Sequence, residues 1–159
     1  MIIKPLNNAL ENLLYWLTAI SAFLFFFMVI AGVGSRYIFL TPIAWSIEIS
    51  RLLFLWSCFL AAALTYRKKA HIAIGLITDK LSEKSQLMAE VLRQALAIAF
   101  MLLVFVAAVK TIHTLWFSTL PVLQISQGWL YIPVAVTAAS IALFALEDLI
   151  SSALKIQKT

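Results

Sequence analysis

An acid and a base lie three residues apart within one of the apolar stretches of this 159-residue chain, between Trp45 and Trp56. On a helix, that spacing places Glu48 and Arg51 on one face, where they can form an ion pair. An ionisable side chain at membrane depth costs about 2.5 to 3.5 kcal/mol on insertion scales. The two charges are therefore candidates for a purpose beyond solubility.

Three interpretations of this pair follow from the residues alone. Arg51 extends to the headgroups with Glu48 as its neutralising partner. Alternatively, the pair contacts another protein chain or a lipid phosphate, because guanidinium binds carboxylate and phosphate in bidentate fashion. A proton or ion pathway is the third, and it is disfavoured because the other spans supply no acid at matching depth.

Two further groups of side chains invite a chemical interpretation. The basic cluster Arg67, Lys68, Lys69 and His71 is suited to anionic headgroups, which attract each Lys or Arg by about 1 kcal/mol. Two histidines on facing helices can ligate haem, but His71 follows the second span and His113 lies near the end of the third, on opposite sides of the bilayer, so one haem cannot bridge them. The residues also show no nucleophile with its base, no metal cluster and no phosphate-binding loop, so we expect no enzyme.

The composition predicts an all-α membrane protein with one domain, residues 1–159. Apolar residues make up 64% of the chain and charged residues only 12%, which is far too little polar surface for a soluble domain. Four apolar stretches are long enough to cross a bilayer core of about 30 Å as tilted helices. The predicted spans are about 12–35, 43–66, 87–114 and 129–149. Thr41 and Pro42 are expected to cap and begin the second of them.

The distribution of Lys and Arg predicts that both termini are cytoplasmic. In a four-span arrangement, the basic residues of the termini and of the loop after the second span lie on one side, against only Arg36 in the opposite loops. An excess of basic residues marks the cytoplasmic side. Tyr and Trp residues near the ends of the spans support the same boundaries.

Several motifs follow one another in a set order over most of the chain. They are Ser35-Arg36-Tyr37-Ile38-Phe39, Pro42, Trp45-Ser46-x-Glu48-x-x-Arg51, Arg67-Lys68-Lys69-Ala70-His71-Ile72 and Gln127-Gly128-Trp129-x-Tyr131-x-Pro133. Their order and spacing resemble the small membrane subunit, or DctQ family, of tripartite ATP-independent periplasmic (TRAP) transporters, and the sialic-acid branch in particular. One motif departs from the family pattern, since Gly75 stands where an Asp often follows the His-Ile segment.

The resemblance implies a scaffold subunit in a bacterial inner membrane. Its partners would be a large sodium-coupled membrane subunit and a periplasmic substrate-binding protein, with phospholipid and without nucleic acid. The imported organic acid would be sialic acid first and a C4-dicarboxylate second. No cofactor is expected in this chain, and sodium would bind the large subunit. Trp45, Glu48 and Arg51 would form a fixed contact to that subunit or to an interfacial lipid.

Two other classes stay open at this point. A four-helix membrane anchor of a respiratory enzyme would need haem or quinone ligands. A small proton-coupled exporter also has four spans, but its coupling site requires an acid within the membrane, and the first span has none.

Overall fold

The computed structural model describes residues 3–68 and 83–156, with side chains for residues 7–68 and 88–152. Four long helices account for most of this part of the chain. They are α1 (Ile3–Tyr37), α2 (Trp45–Arg67), α3 (Glu83–Leu115) and α4 (Ile132–Ile156), with a short 3-10 helix, Gln127–Leu130, before α4. Each helix contains a stretch that is long and apolar enough to cross a membrane. The predicted all-α membrane fold is confirmed.

The helices stand in an open row in the order α1, α2, α4, α3. Within the described residues, α1 packs mainly on α2, α3 packs mainly on α4, and the two pairs meet where α2 contacts α4. Burial follows this order: half of the residues in the most apolar part of α4 are buried, against 6% in that of α3. The chain is therefore two helical hairpins joined side by side, with broad apolar faces left uncovered.

The core lies where α1, α2 and α4 meet. Its largest fully buried apolar side chains are Leu14, Leu60 and Phe144. Because lipid is as apolar as these side chains, their contribution comes from close packing rather than from removal from water. Several hydroxyl groups within the helices bond to their own helix one turn earlier, as Ser140 does with the Val136 carbonyl. Each of these bonds satisfies a hydroxyl donor in an apolar environment.

The second and the last helix begin later than the predicted spans. The second helix begins at Trp45, and Ala44 stands at its N-cap without a side-chain hydrogen bond, so the prediction that Thr41 caps α2 is wrong. The Thr41 amide instead donates to the Ser35 carbonyl and closes the end of α1. The last helix, α4, begins at Ile132, whereas the predicted span begins near residue 129. Pro133 lies in its first turn, where the missing N–H leaves no hydrogen bond unmade.

The contact between α1 and α2 depends on a glycine. A Cβ atom at Gly32 would lie 2.9 Å from the Ser46 hydroxyl oxygen, whereas one at Gly34 would meet nothing within 4 Å. We expect Gly32→Ala to destabilise the protein by about 1 kcal/mol relative to Gly34→Ala, because this overpacking must move one helix or the Ser46 side chain, whereas both variants gain the same helix propensity. A thermal melt in mild detergent measures the change, with Gly34→Ala as the matched control. Adding Ser46→Ala to Gly32→Ala should restore most of the loss, and equal melting of the two single glycine variants would contradict this account.

Candidate functional sites at the two ends of the helices

The charged side chains of the described residues lie at the two ends of the helical row. The segments 12–35, 52–66, 94–109 and 111–146 contain no Asp, Glu, Lys or Arg. One end carries Glu48 and Arg51, with the end of α1, the end of α3 and the start of α4, and is named the Glu48 end. The opposite end carries Arg67 and is named the Arg67 end. Each end holds one polar arrangement built from residues that are distant in sequence.

At the Glu48 end, the connection between α3 and α4 forms a tight turn, named the Pro121 loop (residues 120–125). The Leu120 amide donates to the Ile125 carbonyl at 2.8 Å, and the Gln124 amide returns to the Leu120 carbonyl at 3.1 Å. Gln124 has a left-handed backbone, with φ of 55°. As in the first turn of a helix, the amides within such a turn have no carbonyl partner inside it. Val122 and Leu123 therefore present two adjacent N–H donors.

The Glu48 carboxylate accepts both of these hydrogen bonds. The Val122 amide donates to one carboxylate oxygen at 3.1 Å and the Leu123 amide donates to the other at 2.8 Å. Successive backbone amides of this kind form a concave anion site, and hydrogen bonds to an ionised acceptor are about twice as strong as neutral ones. We name this arrangement the Glu48 clamp. It joins the start of α2 to a loop that lies 74 residues later in the chain.

Two further hydrogen bonds attach α2 to the same region. The Trp56 indole N–H donates to the Trp129 carbonyl at 3.2 Å, and the Thr137 hydroxyl donates to the Phe59 carbonyl at 2.7 Å. Together with the clamp, they connect the two hairpins along α2 from Glu48 to Phe59. The Pro121 loop is thus held in a fixed position over the helices.

Of the three residues predicted to contact a partner or a lipid, the structure uses only Glu48 internally. Glu48 and Arg51 do not form the ion pair that their spacing permits, and no carboxylate of the described residues pairs with Arg51. The side chains of Arg51 and Trp45 are both exposed. Their contact with a partner or a lipid stays a prediction, whereas Glu48 has a structural role that its neighbours in sequence did not indicate.

At the Arg67 end, a polar network lies over the core. The Arg67 guanidinium donates to the Glu147 carboxylate at 2.8 Å and to Glu11 at 3.3 Å. It also donates to the Asn8 side-chain oxygen at 3.3 Å, and its central carbon lies 5.2 Å from the centre of the Phe144 ring. The fully buried Asn7 amide donates to the same Glu147 oxygen at 2.7 Å. We name these residues the Arg67 network, which ties α1, α2 and α4 together.

The basic cluster predicted to contact headgroups is divided by this network. The Arg67 side chain is only 18% exposed and is directed to internal partners, so any contact it makes with a headgroup would compete with two carboxylates. Lys68 is exposed, and its ammonium group lies 6.0 Å from the centre of the Tyr15 ring. Lys69 and His71 lie outside the described residues. The headgroup role of these four residues stays a prediction.

The remaining candidates at the two ends form no combined site. His113 is exposed in the last turn of α3, and His71 is not described, so the structure does not bring the two histidines together. No group of three or more His, Cys, Asp or Glu that could hold a metal occurs among the described residues. The two arrangements found here bind parts of this chain to each other. They are built to hold helices in place.

Comparison with known proteins identifies the family. The chain is similar to the sialic acid TRAP transporter small permease protein SiaQ of Vibrio cholerae, with 36% identity over 55 residues, 35% of this chain and 32% of that protein. It is 28% identical to the sialic acid TRAP transporter permease protein SiaT of Haemophilus influenzae over 82% of this chain and 21% of that protein. It is 27% identical to a putative TRAP transporter small permease protein of the same species over 87% of this chain and 82% of that protein.

The match with SiaQ covers about a third of that protein's length, and the match with SiaT covers about a fifth. The model of the DctQ component of tripartite ATP-independent periplasmic transporters matches residues 25–155, which include the C-terminal part of α1, all of α2, α3 and the Pro121 loop, and almost all of α4. This multi-pass membrane chain therefore belongs to the DctQ family of TRAP transporter components.

Proposed function

We propose that this chain is the stationary small subunit of a sodium-coupled TRAP transporter that imports an organic acid, with sialic acid as the first candidate and a C4-dicarboxylate as the second. Its partners would be a large membrane subunit and a periplasmic substrate-binding protein. It would lie in a bacterial inner membrane with both termini in the cytoplasm. This chain would hold no cofactor, and sodium would bind the large subunit.

The observation that carries the proposal is the confinement of charge to the two ends of the helices. A carrier that couples transport to an ion or a proton needs polar or ionisable groups along its path through the bilayer. Here the middle of every span is free of Asp, Glu, Lys and Arg, and the charged groups Glu48 and Arg67 bind partners within the chain. Such a chain is suited to support a partner that carries the substrate.

The shape of the helical row favours the same role. A moving domain within a bilayer needs a fixed frame, and the uncovered faces of α1 and α3 offer broad apolar surfaces to a neighbouring membrane subunit. This chain matches only 21% of SiaT, so it corresponds to one part of a larger permease. The match therefore supports a separation between a fixed supporting part and a moving part. Sialic acid as substrate is supported by the similarity to SiaQ and SiaT, which are both sialic acid TRAP transporter proteins.

The experiment that tests the proposal is affinity purification after co-expression with a candidate large permease, followed by uptake of labelled sialic acid with and without a sodium gradient. We expect a stable complex and sodium-dependent uptake that requires the binding protein. Arg51→Ala should weaken co-purification, because the exposed guanidinium would lose its partner, whereas Lys110→Ala serves as the control at another exposed base of the same end. Sodium-coupled transport by this chain alone would overturn the proposal. Full assembly, unchanged lipid content and unchanged uptake in Arg51→Ala would overturn the contact role of Arg51.

A further inference from the structure

Two adjoining cavities open between α1 and α2 at the Arg67 end. The first, of about 170 Å³, has polar walls that include Asn8, Glu11 and Lys68. The second, of about 350 Å³, has mainly apolar walls and runs further along the same helices. Three residues, Tyr15, Leu64 and Lys68, line both cavities, so the two form one groove with a polar head and an apolar tail.

The tail of the groove exists because small residues face each other across it. Ala19 and Ala22 on α1 stand opposite Ala61 on α2. Thr18 and Thr65 also line it, but their hydroxyls donate to the Leu14 and Ala61 carbonyls of their own helices at 2.7 and 2.9 Å. With those hydroxyls already bonded, the walls offer hydrocarbon to whatever fills the groove. From Lys68 to Ala61 the tail extends about 10 Å along α2.

The head of the groove carries one cation without an acidic partner. Within the described part of the chain, no carboxylate pairs with Lys68, and the nearby Glu11 carboxylate pairs with Arg67 at 3.3 Å. An ammonium group at the end of an apolar groove is complementary to a phosphate attached to an acyl chain. This arrangement distinguishes the groove from the uniformly apolar faces of α1 and α3.

We propose that this groove binds a glycerophospholipid, with its phosphate beside Lys68 and one acyl chain between α1 and α2. The bound lipid fills a space that the side chains leave open and seals the contact between the two helices beside the core. This site is independent of the transporter proposal, since it requires only this chain and a bilayer.

The test uses the full chain in phosphatidylcholine nanodiscs that contain a phosphatidylglycerol with a photoactivatable acyl chain, and the crosslinked peptides are mapped by mass spectrometry. We expect labelling to concentrate on the peptides that contain Ala19, Ala22 and Ala61. Lys68→Gln should reduce it about fivefold, from the attraction of one Lys for an anionic headgroup. Lys110→Gln is the matched control at the other end, and Ala22→Phe should block the tail without changing any charge.

Several outcomes would overturn the site. Labelling spread evenly over α1 to α4 would mean ordinary contact with bulk lipid. Equal labelling of the Lys68→Gln and Lys110→Gln variants would remove the role of the ammonium group. Complete competition by soluble glycerol phosphate would show that the head alone binds and that no acyl chain occupies the tail. If Lys68→Gln does not fold, unchanged labelling in Ala22→Phe is sufficient to reject the proposal.

Discussion

Replacing Glu48 with alanine is expected to free the Pro121 loop. The variant removes two charge-assisted hydrogen bonds, to the Val122 and Leu123 amides. Such bonds contribute about 1.5 to 3 kcal/mol each, and we expect a net loss of about 2 to 3 kcal/mol because water replaces part of the interaction. Exchange of the two amides should accelerate by roughly one to two orders of magnitude, since each 1.4 kcal/mol is about tenfold.

Hydrogen exchange with mass spectrometry in detergent measures this effect on the peptide that contains the loop. Glu48→Gln is the informative comparison, because it removes the charge but keeps one oxygen that can accept. Arg51→Ala is the control, since it removes the neighbouring charge without touching the loop. Unchanged exchange in Glu48→Ala would mean that the clamp does not hold the loop.

The functional effect of the same change should be larger than its effect on stability. The clamp places the Pro121 loop over the end of the helices that, in the proposed orientation, faces the periplasm and the binding protein. A loop that is free to move loses the fixed surface that a partner recognises, so we expect uptake by the proposed transporter to fall sharply while the proposed complex still assembles. Loss of assembly with an intact loop would instead locate the effect at the large subunit.

Breaking the Arg67 network is the second change with a large expected effect. Arg67→Ala leaves the Glu147 carboxylate, only 10% exposed, without its guanidinium partner at 2.8 Å. Removing one member of a buried ion pair typically costs about 3 to 5 kcal/mol, because the remaining charge stays desolvated. We therefore expect a strongly lowered melting temperature and poor yield, with Arg36→Ala, an exposed arginine at the opposite end, as the control.

A double-mutant cycle separates the pair from the other contacts of Arg67. Combining Arg67→Ala with Glu147→Gln should cost much less than the sum of the single changes, because the carboxylate that loses its guanidinium partner is then gone. The packing of the guanidinium against Phe144 and its bond to Glu11 should account for the residual loss. Strict additivity in thermal melts would contradict the importance of this ion pair.

The sequence predicts the number and approximate position of the helices because the signal is local. Each span is a run of apolar residues, and lipid requires that its backbone hydrogen bonds be made within the helix. The prediction is less accurate at the end of α1 and the start of α2. Thr41 is one of the residue types that cap helices, but its amide donates to the preceding helix instead. A local pattern cannot show which neighbouring helix uses a backbone group.

The polar contacts join residues that are close in space but far apart in the sequence, so the sequence indicates only some of them. Glu11, Arg67 and Glu147 all fall at the same end of a four-span arrangement, so matching charges across that end is a signal that could have found the Arg67 network. The Glu48 clamp has no such signal, because its donors are backbone amides of Val122 and Leu123, which any residue type except proline would supply. The prediction instead paired Glu48 with the nearest cation, Arg51.

The division into two hairpins has a consequence for biogenesis. A membrane chain inserts in order from its N-terminus, and helices associate after insertion. Arg67 meets Glu11 within the first hairpin, whereas Glu48 has no partner among the described residues of that hairpin and must wait for the Pro121 loop of the second. Between those two events the Glu48 carboxylate lacks the two backbone donors that bind it in the finished structure, so its end of α2 is fixed only when the second hairpin is in place.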